Sequence, residues 1–244
     1  MYRKLFNDYS PIGLRDDLKN LKFLDCLNFY EKQFINPTKI INVSKTKKIK
    51  NLDIEFSDKV IDKKIHYGNN KTTLELGNQF KDKTSLIMLS PVIEEHNAEV
   101  HFLNSMISLG LKSPLYKEVR EEKGLVYYIH CYQSRHNKDG LINISTQTSN
   151  KNVNDVISSV EKVLKKKESI LNKDRFNLVR DYYLSRRDKE EILRYENVGR
   201  YITPDGWSVY DILDNVKLKD LKEIYERYYD FSKFYISNDK KEFK

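Results

Sequence analysis

Apolar side chains change their spacing several times between residues 66 and 244, and each change predicts a different element. Alternating or continuous apolar runs bounded by turn residues indicate strands, and apolar residues three or four positions apart indicate helices. Antiparallel strands with helices segregated to one face predict an α+β fold, a two-layer sandwich of a mostly antiparallel sheet with helices on one face. The predicted strands cover residues 84–90, 125–132, 141–146 and 233–236, with hairpin-turn chemistry at residues 137–140, and the predicted helices cover residues 94–109, 153–164, 174–200 and 216–229.

The chain also contains an internal repeat. Residues 21–34 align with residues 216–229 at a constant offset of 195, with aspartate, Tyr-Glu-basic and aromatic positions in one register. Similarity at a fixed offset is typical of duplicated domains. We therefore predict that residues 1–45 are the C-terminal remnant of a first homologous domain, that residues 46–65 form a basic linker, and that residues 66–244 form the complete second domain.

The most informative motif covers residues 113–127. Ser113 is a good helix N-cap, and Pro114 suits the first helical position because its missing N–H has no partner there. Gly124 supplies the left-handed residue that ends a helix, and a β-rich run follows at once. The motif thus predicts a short capped helix that leads into a strand, with Arg120 in the last helical turn and Tyr127 near the start of the strand.

This motif resembles one in the second homologous domain of the insulinase/pitrilysin-type zinc peptidases, especially the mitochondrial-processing-peptidase branch. The family form is roughly S-x-L-[FY]-x-x-[LV]-R-E-x-x-G-L-x-Y. The resemblance implies that Arg120 and Tyr127 bind substrate, and that the tyrosine stabilises the developing oxyanion, above a zinc held by the other domain. The chain departs from the family with Lys112 and Pro114 in a turn that usually has small residues and an arginine. The matching positions are Ser113, Leu115, Tyr116, Val119, Arg120, Glu121, Gly124, Leu125 and Tyr127.

The residues alone leave alternatives open for both side chains. Arg120 is also well placed as a cation at a helix C-terminus, paired with Glu118 or Glu121. Tyr127 is one of 17 tyrosines, any of which could belong to the core. Because successive side chains of a strand alternate between faces, Tyr128 is expected on the opposite sheet face from Tyr127.

The zinc signature of the family, H-x-x-E-H, does not occur in the sequence. Its nearest counterpart contains His96 and His101, which are five residues apart and therefore about 140° apart around a helix, so they cannot face one ion. We expect no metal and no cofactor on this chain. The resemblance places zinc on a partner, either a zinc-bearing homologous subunit or a split N-terminal half, with peptide substrate as the other partner.

The functional hypothesis is the peptide-binding half of an insulinase/pitrilysin-like zinc metallopeptidase, inactive without its catalytic partner. A non-catalytic scaffold subunit of the same fold is the alternative. A basic nucleic-acid-binding module is less favoured. The net charge is +8, but acidic residues are interleaved with the lysines and no nucleic-acid-binding signature accompanies them.

The same sequence gives no indication of a membrane segment. It has no apolar run near 18 residues and no signal peptide, which predicts a cytoplasmic chain. Cys26 and Cys131 lie in very different segments, and we expect two ordinary buried thiols rather than a disulfide.

Overall fold

The computed structural model describes residues 19–31, 82–136, 139–187, 189 and 207–238. The chain divides into two compact units, Met1–Asn70 and Lys71–Lys244. The described part of the first unit contains helix α1 (Phe23–Tyr30), where the repeat predicts a helix, and none of its side chains is buried. The rest of the predicted remnant and the linker lie outside the described residues, so the division into remnant, linker and complete domain stays a prediction.

The described part of the second unit combines helices with a sheet of four strands. The strands run in the order β2-β3-β1-β4, and each neighbouring pair is antiparallel. The strands are β1 (Lys83–Leu89), β2 (Val126–His136), β3 (Asp139–Ser149) and β4 (Tyr235–Asn238), and the helices are α2 (Asn97–Ser108), α3 (Pro114–Tyr116), α4 (Val153–Lys165), α5 (Lys173–Arg187) and α6 (Leu218–Tyr228). The α+β fold predicted from the sequence is confirmed.

The main core lies between the helices and one face of the sheet. In the antiparallel register Leu86 lies opposite Thr146, and Met88 lies opposite Ile144, so these side chains share a face. Helices α2, α4, α5 and α6 contribute their apolar sides to the same cluster. Its members include Leu86, Met88, Phe102, Leu103, Met106, Ile129, Ile144, Val156, Val160, Val179, Leu221 and Ile224, all at most 8% exposed.

The predicted and observed elements differ mainly in length. The hairpin strands β2 and β3 are longer than predicted, because the polar residues beyond each apolar run continue the antiparallel ladder. Helix α5 is described as far as Arg187, and its predicted extension to residue 200 lies outside the described residues. Within the described ranges, no helix is long and apolar enough to cross a membrane.

The two cysteines have different environments, and both are free thiols. Cys131 is buried, and its Sγ donates to Asn104 Oδ1 at 3.1 Å. The hydroxyl of Tyr229 donates to the same oxygen at 2.8 Å. Cys26 is exposed on α1, so the prediction of two buried thiols is wrong for this residue. Its helix buries no side chain, whereas Cys131 lies on the core face of β2.

Candidate functional site

The motif helix consists of α3 followed by a π-helical segment, Lys117–Glu122. Ser113 and Pro114 occupy the N-cap and the first turn, as the sequence predicts. The expected side-chain cap is wrong, because the Ser113 hydroxyl is buried and makes no hydrogen bond in the described structure. The backbone begins the helix instead, with the Lys117 N–H donating to the Ser113 carbonyl at 2.9 Å.

The helix ends in the left-handed residue that the sequence indicates. Gly124 has φ +59°, a conformation that costs glycine little because it has no Cβ. Its N–H donates to the Arg120 carbonyl at 3.0 Å, and the Leu125 N–H donates to the Val119 carbonyl at 3.0 Å. π-Helical turns are rare and frequently occur at functional sites. This ending ties the backbone of Arg120 to the turn that starts β2.

The structure brings Arg120 and Tyr127 together. The guanidinium carbon of Arg120 lies 4.8 Å from the ring centroid of Tyr127 and 4.7 Å from that of Tyr116. Both distances are within the range of cation–π attraction. Tyr127 is 79% exposed, so it is not a core tyrosine. Tyr116 belongs to the motif, but the sequence analysis did not predict its contact with Arg120.

The acidic residues near Arg120 in the sequence have other partners. Glu118 pairs with Lys162 at 2.8 Å and with Lys123 at 3.1 Å. Among the described residues, the Arg120 side chain makes no hydrogen bond or ion pair, only its two ring contacts. The alternative in which Arg120 pairs with Glu118 or Glu121 is therefore not what the structure shows. The N–H groups of the guanidinium remain available to an external acceptor.

The motif helix is fixed to α4 through Glu118. The hydrogen bond from Lys162 is the largest of the effects that lower the pKa of the Glu118 carboxyl below its ordinary value of 4.5, and Lys123 adds to it. Lys123 also donates to the Ser159 hydroxyl at 2.8 Å. These contacts hold the helix that carries Arg120 against a neighbouring element.

A β-bulge shapes the start of β2. Val126 lies opposite Thr148 and Ile129 lies opposite Thr146, so β2 has one more residue than β3 over this interval. Consequently both Tyr127 and Tyr128 lie outside the core, at 79% and 40% exposure. The extra residue interrupts the strict alternation on which the expectation of opposite faces for these two tyrosines rests.

Arg175 supports the segment before the motif helix, and the sequence analysis missed it. Its side chain is 7% exposed and donates to the carbonyls of Met106 at 2.7 Å, Ser105 at 3.0 Å and Leu109 at 2.5 Å. Burial lowers the pKa of the guanidinium to about 10. The Met106 and Leu109 carbonyls at the C-terminal end of α2 accept no other hydrogen bond among the described residues, whereas the Ser105 carbonyl also accepts from the Leu109 N–H at 2.9 Å. The sequence contained one indication of this role. A cation is unfavourable in the first turn of a helix such as α5, so Arg175 is expected to have acceptors elsewhere.

His96 and His101 lie in different environments. His96 is the N-cap of α2 with φ +59° and lies outside the helix that contains His101. The ring of His101 packs 5.6 Å from Trp207 and 6.0 Å from Tyr183, and burial lowers its pKa to about 4. Within the part of the chain that the structure describes, no three His, Cys, Asp or Glu side chains are grouped to hold a metal ion. These residues do not fit the zinc centre of the family, and no step through zinc is assigned to them.

Comparison with known families identifies the domain. The sequence model of the peptidase M16 inactive domain matches residues 20–183, more than half of the chain. The chain belongs to this family. The family resemblance seen in the motif is thereby confirmed. A search of curated proteins finds no match.

Solved structures share the fold of this M16 domain. The peptidase M16 inactive domain from Pseudomonas fluorescens is 16% identical, with a TM-score of 0.60 over 72% of this chain and 45% of that chain. A protease from Helicobacter pylori is 13% identical, with a TM-score of 0.66 over 97% and 65%. A chain of Complex III2 from Candida albicans is 14% identical, with a TM-score of 0.71 over 97% and 64%. The M16 chain thus spans only 45% and 65% of the first two relatives.

Proposed function

We propose that this chain is the peptide-binding half of an M16-type metallopeptidase, and that it acts beside a homologous domain or subunit that carries the H-x-x-E-H zinc site. Arg120 binds a carbonyl or carboxylate of the peptide, and Tyr127 donates its hydroxyl to the reacting carbonyl. The chain supplies binding and orientation, and the partner supplies the metal. Alone, it is inactive.

The observation that carries the proposal is the state of Arg120. Its guanidinium lies against two tyrosine rings and has no acceptor among the described residues, although three glutamates lie within two positions of it in the sequence. A guanidinium presents a planar fork of donors that matches carboxylate and carbonyl groups. A structural arginine in this position would be expected to use those donors, as Arg175 does.

The second candidate is a non-catalytic structural subunit. The matched family is the inactive domain of peptidase M16, which is compatible with a role in assembly alone. In that case the Arg120 contacts with Tyr116 and Tyr127 serve only to stabilise the turn between the motif helix and β2.

The two candidates differ in what an Arg120 variant does to cleavage. The experiment combines the purified chain with a homologous H-x-x-E-H subunit and measures complex formation and cleavage of a quenched fluorescent peptide. Loss of one preorganised donor in a reacting site typically lowers kcat by about 100-fold or more. We expect losses of this size for Arg120→Gln and Tyr127→Phe, with complex formation unchanged.

A matched control is available on α5. Arg186 lies over the ring of Tyr182 at 4.4 Å, in the same kind of contact as Arg120. Arg186→Gln should leave cleavage unchanged. Complexes that form normally and cleave equally well with all three variants would refute the peptide-binding role and support the structural subunit.

A further inference from the structure

Tyr116 contacts Arg120 from within the motif helix itself. The guanidinium carbon of Arg120 lies over the ring of Tyr116, 4.7 Å from its centroid, and over the ring of Tyr127 at 4.8 Å. One ring belongs to the motif helix and the other to β2, so the guanidinium lies at the junction of the two elements. We infer that Tyr116 is a positioning residue, which together with Tyr127 orients the Arg120 guanidinium for the peptide. This inference rests on the proposed function, because the peptide is the ligand proposed for Arg120.

The place of Tyr116 on the helix follows from the buried side chains next to it. Leu115 and Val119 are four positions apart and 0% exposed, so they fix one face of the motif helix in the core. Tyr116 and Arg120 each follow one of these residues, and the same four-residue spacing brings their side chains together. The Arg120 carbonyl accepts from the Gly124 N–H at 3.0 Å. The ring and the guanidinium therefore both extend from a backbone that is fixed by its neighbours.

A ring contact restrains a guanidinium in a way that an ion pair does not. Cation–π attraction acts between the charge of the guanidinium and the face of the ring, and it needs no oxygen acceptor. An ion pair with a neighbouring glutamate would also restrain Arg120, but the carboxylate would occupy N–H donors that the peptide needs. An arginine side chain has many rotamers, and a ligand that binds it must offset their loss. Two rings that limit these rotamers beforehand favour binding by preorganisation.

A second tyrosine–arginine pair in the chain provides an internal comparison. On α5, Arg186 lies over the ring of Tyr182 at 4.4 Å, with the same four-residue spacing. Helical spacing alone is enough to form such a pair. Within the described residues, this is the single ring contact of Arg186, whereas Arg120 has a second ring from β2. The second ring distinguishes the proposed site from an ordinary helical pair.

The test measures the order of the Arg120 side chain and the binding of a peptide, both on the full chain. Nitrogen-15 relaxation of the Arg120 Nε–H gives the order parameter. Fluorescence anisotropy gives the Kd of a labelled heptapeptide that has glutamate at both ends and alternating phenylalanine and serine between them. We expect Tyr116→Leu to lower the order parameter to below about 0.6, the range of a flexible group, and to raise the Kd by about two- to fivefold.

Matched variants separate positioning from a structural effect. Tyr116→Phe keeps the ring and should match the wild type in both measurements. Tyr182→Leu removes the ring at Arg186 and should leave the order of Arg120 and the Kd unchanged. In the Arg120→Gln background, Tyr116→Leu should not raise the Kd further, because Tyr116 acts through Arg120. Tyr116→Gln is a second variant without the ring, so the test does not depend on the folding of one protein.

The outcomes separate this inference from the proposed function. An Arg120 Nε–H that stays equally ordered without the Tyr116 ring overturns the inference, and so does a Kd that rises equally with and without Arg120. A Kd that rises with Arg120→Gln but not with Tyr116→Leu overturns the inference and leaves the proposed function standing. A Kd unchanged by Arg120→Gln contradicts the proposed function, whereas a loss of order in Tyr116→Leu still supports the positioning of Arg120.

Discussion

Replacing Arg175 with methionine should remove about 3–4 kcal/mol from the free energy of unfolding. The guanidinium is 7% exposed and satisfies three carbonyls at the end of α2, at 2.7, 3.0 and 2.5 Å. A hydrogen bond that involves a charged group contributes about 1.5–3 kcal/mol, so three bonds set an upper range. Methionine restores part of the apolar packing, and water can reach some of the freed carbonyls. The expected loss in the free energy of unfolding is therefore about 3–4 kcal/mol, below the sum of three such bonds.

The assay is urea unfolding at pH 7, followed by the fluorescence of Trp207, the single tryptophan of the chain. Trp207 packs against His101 of α2 at 5.6 Å between ring centroids, so its emission reports on the helix that Arg175 caps. With a urea m-value of about 3 kcal/mol/M, the midpoint should fall by about 1 M. Arg175→Lys keeps the charge but lacks the planar fork of guanidinium N–H donors, so this variant should also be less stable than the wild type.

The control is Arg180→Met on the same helix. Arg180 is half-buried and makes one such bond, from its Nε to the Leu213 carbonyl at 3.1 Å, so its loss should cost about 1.5 kcal/mol, at the lower end of that range. If Arg175→Met is no more destabilising than Arg180→Met, the assignment of Arg175 as the cap of α2 is wrong. A far-ultraviolet circular-dichroism spectrum like that of the wild type, for both variants, ensures that the comparison concerns folded proteins.

Three further predictions concern single residues. Gly140→Ala should destabilise the domain by about 1 kcal/mol in urea unfolding, because the new Cβ would displace the ends of the Asn97 and Gln133 side chains and break the hydrogen bond between them; a midpoint unchanged from wild type would contradict this close approach. Since the pKa of Glu118 is lowered in the folded chain, its stabilising contribution is present above the ordinary pKa of 4.5 and is lost as the pH falls through the folded-state pKa. The difference in stability between wild type and Glu118→Gln should therefore be larger at pH 7 than at pH 3, and a constant difference would refute the role of the charged pairs. Cys26 is exposed, whereas burial raises the pKa of the Cys131 thiol, so a thiol reagent at pH 8 should modify one cysteine rapidly and the second only after unfolding; two fast reactions would show that Cys131 is accessible.

Elements with strong apolar periodicity could be predicted from the sequence. The strand β1 and the helices α2 and α4 lie within a few residues of their predicted positions, because one face of each is buried against the core. The left-handed conformation of Gly124 also follows from local chemistry, since few residues other than glycine adopt it readily. These features depend on neighbours in the sequence or on a single buried face.

Most features that were missed depend on distant residues. The bulge at Tyr127 and Tyr128 is defined by the register with β3, which no local pattern in β2 specifies. Arg175 meets carbonyls that lie 66–70 positions earlier in the chain. The proximity of Arg120 and Tyr127 was expected only from the family motif. Tyr116 and Arg120 are four positions apart, a spacing that brings side chains together on a helix, so their contact had a local signal in the sequence.

The central claim is that Arg120 binds peptide directly, and the most direct measurement is the side-chain Nε–H signal of Arg120 in nitrogen-15 NMR. The labelled full chain is titrated with a heptapeptide that has phenylalanine at its second, fourth and sixth positions, serine between them and glutamate at both ends, and Arg120→Lys assigns the signal by its disappearance. We predict a saturable downfield shift of the Arg120 resonance, with the Arg186 resonance unchanged. A peptide that shifts other resonances to saturation while the Arg120 signal stays in place would contradict the claim.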